Sequence, residues 1–196
     1  MTGGRHLEFG VAKDDGERTA AYRLRYEELV ARGWGDPAAH PDGLERDEYD
    51  DDAVLVVARS GPAVVGTVRL VIEPAHVARL LPEYGIEPGR IPIEGTGVAG
   101  RFLIAPQFRR SREPIVGLLA ALWRAGVQLG LRRGVTFQSD DSIRWCRLHG
   151  IPLKVIGPAR DDHGERRHPI LIDDDVLEAF AAAATDDERA SMPARP

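Results

Sequence analysis

Residues 53–73, AVLVVARSGPAVVGTVRLVIE, hold two apolar runs joined by Ser60, Gly61, Pro62 and Ala63. β-Branched residues fill both runs, and the Ser-Gly-Pro-Ala break has the chemistry of a turn. The stretch predicts an antiparallel hairpin. Directly before it comes GLERDEYDDD, residues 43–52, crowded with carboxylates. Asp47 and Asp50 stand three apart, and Arg69 follows on the second hairpin strand. Such a set either locks the loop by ion pairing or meets a cationic or amino-acid-like acceptor. Asp51 and Asp52 read as solvated charges at the strand start.

Outward from the hairpin, HLEFGVAK (6–13) is a short strand and DGERTAAYRLRYEELVARG (15–33) an amphipathic helix closed by Gly33. The Pro-, Gly- and Asp-rich segment from Trp34 to Asp52 is a loop. On the other side, PAHVARLLPEYG (74–85) is a short helix, RIPIEGTG a loop, and VAGRFLIAP (98–106) a strand. The segment 113–134 places Ile115, Leu118, Leu119, Leu122 and Leu129 at helical spacing. The strand VTFQSD, the helix DSIRWCRLHG, the strands PLKVIGP and HPILID, and the helix DDVLEAFAAAA complete the order. It describes an α/β domain, a mixed sheet with helices on both faces. No GxGxxG follows the first strand, so the chain is not a doubly wound dinucleotide fold. One domain over 1–185 and a disordered tail over 186–196 are expected.

The chain has 196 residues, of which 43% are hydrophobic and 29% charged, with a net charge of −5. That balance argues against nucleic acid as a partner. The one cysteine, Cys146, supports neither a disulfide framework nor a zinc site, and reads as a buried structural thiol. No metal site is expected. The first residues lack a signal-peptide core, and no run approaches the ~20 apolar residues of a membrane span. A soluble cytoplasmic protein, monomeric or homodimeric, is expected.

Four motifs occur in order: LRYEELVARGW, ERDEYD, GTVRL and GRFLI. Together they resemble the acyl-homoserine-lactone (autoinducer) synthases and the related N-acyl amino acid synthases, within the GNAT acyltransferase superfamily. The resemblance covers roughly residues 20–175. It implies a GNAT-like fold with a mostly antiparallel sheet. It also implies transfer of an acyl group from a carrier-protein thioester to an amine. Arg25, Trp34, Asp47, Asp50, Arg69 and Arg101 match the family pattern. Val98 stands where the autoinducer synthases carry a glutamate, and Leu29 where they carry an aromatic residue. These departures point towards the family's acyl transfer and away from its lactone.

Acyl transfer needs a neutral amine, a polarised thioester carbonyl and a common orientation. The resemblance lays the thioester along the Arg101–Phe102–Leu103–Ile104 strand, whose main-chain N–H groups are natural oxyanion donors. Glu94 is the candidate replacement base, with water as the other route. On the acceptor side the candidates are Arg25, Trp34, Asp47, Asp50 and Arg69. On the donor side APQFRRSREPIVG has no glycine in its turn, and Arg109, Arg110, Ser111 and Arg112 supply charge for a phosphopantetheine phosphate and an acidic carrier surface. The donor is then acyl-phosphopantetheine on an acyl carrier protein, or acyl-CoA; no cofactor is held. Alternatives are an autoinducer synthase, an ordinary acetyl-CoA N-acetyltransferase and a catalytically silent acyl-thioester-binding module. Trp123 reads as core, His149 as a helix-end charge, and His163 and His168 as residues of a hairpin bordering the acyl pocket.

Overall fold

A computed structural model describes residues 6–148, 150 and 153–176. The order is β1 (Leu7–Val11), α1 (Asp15–Arg32), β2 (Val54–Ser60), β3 (Ala63–Val71), α2 (Pro74–Glu83), β4 (Thr96–Ile104) and α3 (Glu113–Gln128). Then come β5 (Arg133–Ser139), α4 (Asp140–Leu148), β6 (Lys154–Val155), β7 (Arg160–Asp162) and β8 (Glu165–Ile172). The closing helix expected over 174–184, His149 and the tail fall largely or wholly outside the described residues.

One mixed sheet forms, in the order β1-β2-β3-β4-β5-β8-β6, with β7 also paired to β8. The predicted hairpin is β2–β3, paired antiparallel from Ser60↔Ala63 to Val54↔Leu70. Its strands read as continuous apolar runs because both faces are covered. Val56 and Ala58 pack with Leu118 of α3, whereas Leu55 and Val57 pack with Ala21 and Tyr22 of α1. A third cluster gathers Val77, Leu80 and Leu81 of α2 with Val71, Val98 and Val135. The structure adds β7, and it shortens the strand expected at 152–158 to Lys154–Val155.

Helix α1 begins where Asp14 accepts from the Glu17 amide (2.9 Å). It ends at Gly33, whose φ of 65° is the left-handed conformation that glycine adopts without a Cβ penalty. The Trp34 amide then bonds back to Leu29 O (3.0 Å), which fixes where the tryptophan leaves the helix. The buried face of α1 carries Arg25 and Glu28 beside Ala21, Tyr22 and Leu24. Two charged residues on an inward stripe need partners inside the protein.

All but one of the strand pairings are antiparallel; β4 and β5 run parallel, as the α3 crossover requires. Their ladder covers only Thr96–Ala99 against Arg133–Thr136. Beyond it β5 stays with β8 through Ser139 and β4 stays with β3, so the two part.

Candidate active site

The parting has a local cause. Between Arg69↔Gly100 and Thr67↔Leu103, β4 places Arg101 and Phe102 opposite Val68 alone. Two residues against one is a β-bulge, which bends its strand. Arg101 takes φ 54°, a conformation that costs a residue with a Cβ about 1 kcal/mol or more. A cleft of about 620 Å³ opens here, walled by Ala99–Leu103 of β4, Thr136–Ser139 of β5, the end of α2, and residues of β7 and β8. Alternate main-chain groups of β4 lose their ladder partner across this gap. Main-chain N–H groups left without a ladder partner are free to donate to a ligand in the cleft.

A buried ionic network forms one wall. Arg25 is 1% exposed. It donates to both oxygens of Asp50, at 2.8 and 2.9 Å, and through Nε to Glu45. Arg69 Nη1 donates to Asp50 (3.0 Å) and to Asp47. Arg101 donates to Asp47 (3.2 Å) and pairs with Glu45 (2.9 Å). The loop closes on itself as well: the Asp47 amide donates to Asp50 Oδ2 (2.9 Å). Burial works against the Asp50 charge, but Arg25 and Arg69 outweigh it and hold the carboxyl below its usual range. Glu45 behaves alike: burial pushes it up, and Arg101 and Arg25 pull it lower still.

The network separates the candidates. Asp50 and Arg25 are enclosed, with their hydrogen bonds used within the network of α1, β3 and the loop. Asp47, Arg69, Arg101, Trp34, Phe102 and Leu103 line the cleft. Ile104 is buried against the α3 side, and its carbonyl accepts from Arg109 Nε (2.7 Å). Glu94 is not brought in. It is exposed in the turn before β4, its carbonyl accepts from Arg133 (3.3 Å), and the extended residues Thr96–Gly100 between them hold it roughly 15–20 Å from Arg101. Val98, at the family's glutamate position, is buried in the α2 cluster.

The donor-side arginines also divide. Arg109 pairs with Glu28 of α1 as well as with Ile104 O, so it braces the turn after β4. Arg112 lies over the Trp145 ring of α4, 6.0 Å from its centroid. Arg110 and Ser111 are exposed on a groove beside Leu7 and Pro114 at the start of α3. Cys146 is partly buried, and burial pushes its thiol pKa up. Trp123 is half-buried on α3.

The β7–β8 hairpin covers the mouth. His163, at its turn, stacks on Trp34 with centroids 5.8 Å apart. The guanidiniums of Arg32 and Arg167 lie 4.4 and 5.4 Å from the Trp34 ring centre. Arg160 donates to the Glu83 carbonyl at the end of α2 (3.1 Å). His168 lies on β8 opposite Gln138 and contacts Asp140 (2.8 Å). Sequence reasoning missed Glu45, Glu83, Tyr84, Arg160 and Arg167. Glu45 carried a faint signal, as the first residue of the ERDEYD motif; the others carried none, because only the fold brings them to the cleft.

Residues 24–120 match the family model of the acetyltransferase (GNAT) domain. The chain carries a GNAT acetyltransferase domain. No curated protein sequence matches this acyltransferase. Among solved structures, BjaI is described as a CoA-dependent acyl-homoserine lactone synthase, with SAM and isopentyl-CoA. It superposes with a TM-score of 0.73 at 20% identity, over 96% of this chain and 92% of its own. The acyl-homoserine-lactone synthase LasI gives 0.74 at 18% identity, over 98% and 100%. FeeM, an N-acyl amino acid synthase from uncultured soil microbes, gives 0.60 at 12%, over 94% and 98%. At these identities the likeness is one of fold.

Proposed function

We propose that this acyltransferase moves an acyl group from a phosphopantetheine thioester, on an acyl carrier protein or CoA, to the amine of a small zwitterionic metabolite in a specialised biosynthetic route. The observation that carries this reading is the cleft itself. Its wall mixes the charges of Arg69, Arg101 and Arg167 with those of Asp47, Asp162 and Glu165. An acceptor carrying both a carboxylate and an amine suits such a lining. The thioester arm enters from the Ile104 end, past Arg110 and Ser111, and its carbonyl lies along the bulged edge of β4. Arg69 and Arg101, held by Asp47 and Asp50, orient the acceptor opposite it. The buried network supplies rigidity, so that little reorganisation accompanies reaction.

Homoserine lactone synthesis from SAM is the second reading. The near-complete superposition on BjaI and LasI favours it. Against it stands Val98, apolar and enclosed where that chemistry uses a carboxylate.

The test is direct. The protein is mixed with acetyl and longer acyl groups on carrier protein and on CoA, and with a pool of amino acids and SAM. Thiol release and product mass are followed. Release that needs both thioester and an amino acid supports the proposal. An acyl-homoserine lactone from SAM moves the protein to the second reading. Release with acetyl-CoA alone indicates an ordinary acetyltransferase. No release with any pair leaves a silent thioester-binding module.

A further inference from the structure

The β7–β8 hairpin outruns the sheet that carries it. The β5–β8 ladder ends at Ser139↔Arg167, and among the described residues β7 pairs with β8 alone. Residues 161–166 therefore form a two-stranded ribbon, which is marginally stable without further contacts. Its turn is His163–Gly164, with φ of 52° and 76°, the mirror-image turn that matches the twist of a hairpin. Glycine enters that conformation freely, whereas histidine does so at a cost. A strained residue at the mouth of a cleft calls for a reason.

Two contacts tie the ribbon down. At its root, Arg160 donates to the carbonyls of Pro82 (3.4 Å) and Glu83 (3.1 Å) at the end of α2. At its tip, the His163 ring lies on Trp34, with planes 20° from parallel. Trp34 is itself held in place. Its amide is bonded to Leu29 O, Arg32 and Arg167 lie on its ring, and Arg32 is anchored on Glu28 (3.1 Å). Between the two ties the ribbon presents Asp161, Asp162 and Glu165 to the cleft that Asp47, Arg69 and Arg101 also line. The root tie uses charge-assisted hydrogen bonds. The tip tie is one stack between an exposed ring and a half-buried one, so the tip opens first.

We infer that this ribbon is a lid over the acceptor site and that His163 is its catch, a positioning residue that acts through Trp34. The inference rests on the acyltransferase reading above. Closed, the lid completes the acceptor's surroundings and keeps water from the thioester. Open, the cleft admits the acceptor and water alike. Water that attacks the thioester carbonyl forms a C–O bond, breaks the C–S bond and leaves a carboxylic acid and a thiol in place of the amide. The catch therefore sets the partition between transfer and hydrolysis. It also sets the fraction of molecules competent to hold the acceptor.

His163→Asn removes the ring, and asparagine tolerates the left-handed turn. His163→Phe keeps a ring and loses only the imidazole's approach to Asp162 (3.8 Å). Hydrogen exchange needs no substrate. The amides of residues 161–166 are expected to exchange about 3- to 10-fold faster in the Asn variant, the range one aromatic pair supports, and at near wild-type rates in the Phe variant. Kinetics then use butyryl-CoA and the amino acid that serves the wild type best. The Asn variant is expected to raise the acceptor KM, and thiol release without acceptor, by a similar factor, with the butyryl-CoA KM unchanged; the Phe variant restores both. Unchanged exchange in the Asn variant would mean that there is no catch. Faster exchange with unchanged acceptor KM and hydrolysis would mean a hairpin that is no lid. Equal effects of Asn and Phe would overturn the role of the ring. Failure of the wild type with every donor and amine would remove the acyltransferase reading and the lid's part in it, and the exchange contrast alone would then decide the catch.

Discussion

At the residue scale, Asp47 and Asp50 look alike in sequence and differ in the fold. Asp50 accepts from Arg25 at two points and from Arg69, and is 1% exposed. Asp47 lines the cleft. Asp50→Asn is therefore expected to lower the melting temperature by an amount equivalent to about 3 kcal/mol, because it leaves buried cations short of a partner. Asp47→Asn is expected to raise the acceptor KM with a much smaller thermal shift. Thermal unfolding together with steady-state kinetics on both variants checks the contrast. Arg25→Lys should behave like Asp50→Asn, since an ammonium cannot reproduce the forked contact to a carboxylate. Arg101 allows a finer test. Its φ of 54° suits glycine, so Arg101→Gly should unfold at higher temperature than Arg101→Ala, by about 1 kcal/mol of stability. Both variants lose the pair with Glu45, so the difference isolates the backbone.

At the element scale, the turn from β4 to α3 combines bracing with docking. Arg109 joins Ile104 O to Glu28, and Glu28 also pairs with Arg32, which lies on Trp34. Arg109→Glu sets a carboxylate against the enclosed Glu28 and should destabilise the protein. Arg110→Glu should leave stability unchanged and weaken use of the acidic carrier protein more than use of a small pantetheine thioester. Equal losses on the two donors would mean that no carrier docks there. Helix α3 offers a second element-level test. A Cβ at Gly117 would stand 2.3 Å from the Phe9 ring of β1. Gly117→Val should therefore cost about 1–3 kcal/mol by overpacking, measured by urea unfolding.

At the scale of the whole molecule, carboxylates fixed by arginines set the response to acid. The Arg59 hydrogen bonds to Glu17 lower the Glu17 pKa from 4.5 to about 2, and Asp50 and Glu45 are lowered too. A depressed carboxylate pKa contributes stability that is present above its unfolded value and lost as pH falls through its folded one. Stability should thus be flat down to about pH 5 and fall steadily towards pH 2, as unfolding melts across that range would record. Glu17→Gln should flatten part of the decline. Among the described residues no helix is long and apolar enough to cross a membrane, and no group of three or more potential ligands is placed to hold a metal.

The sequence by itself determined most of the elements and their order, though not β7. The β2–β3 hairpin, α1 with its Gly33 stop, and α3 follow from local periodicity and turn chemistry, which act over a few residues. It also marked Arg25, Asp47, Asp50, Arg69 and Arg101 as a group, through ordered motifs. What the tertiary structure decided is which of them face substrate. Glu94 lies close to Arg101 in the chain and far from it in space, because an extended strand separates them. Tyr84, Arg160 and Arg167 lie outside the motifs and reach the cleft only when β7–β8 and the end of α2 fold against the sheet. Burial and pairing are properties of the assembled chain. That is why two aspartates three residues apart become one enclosed strut and one wall of the site.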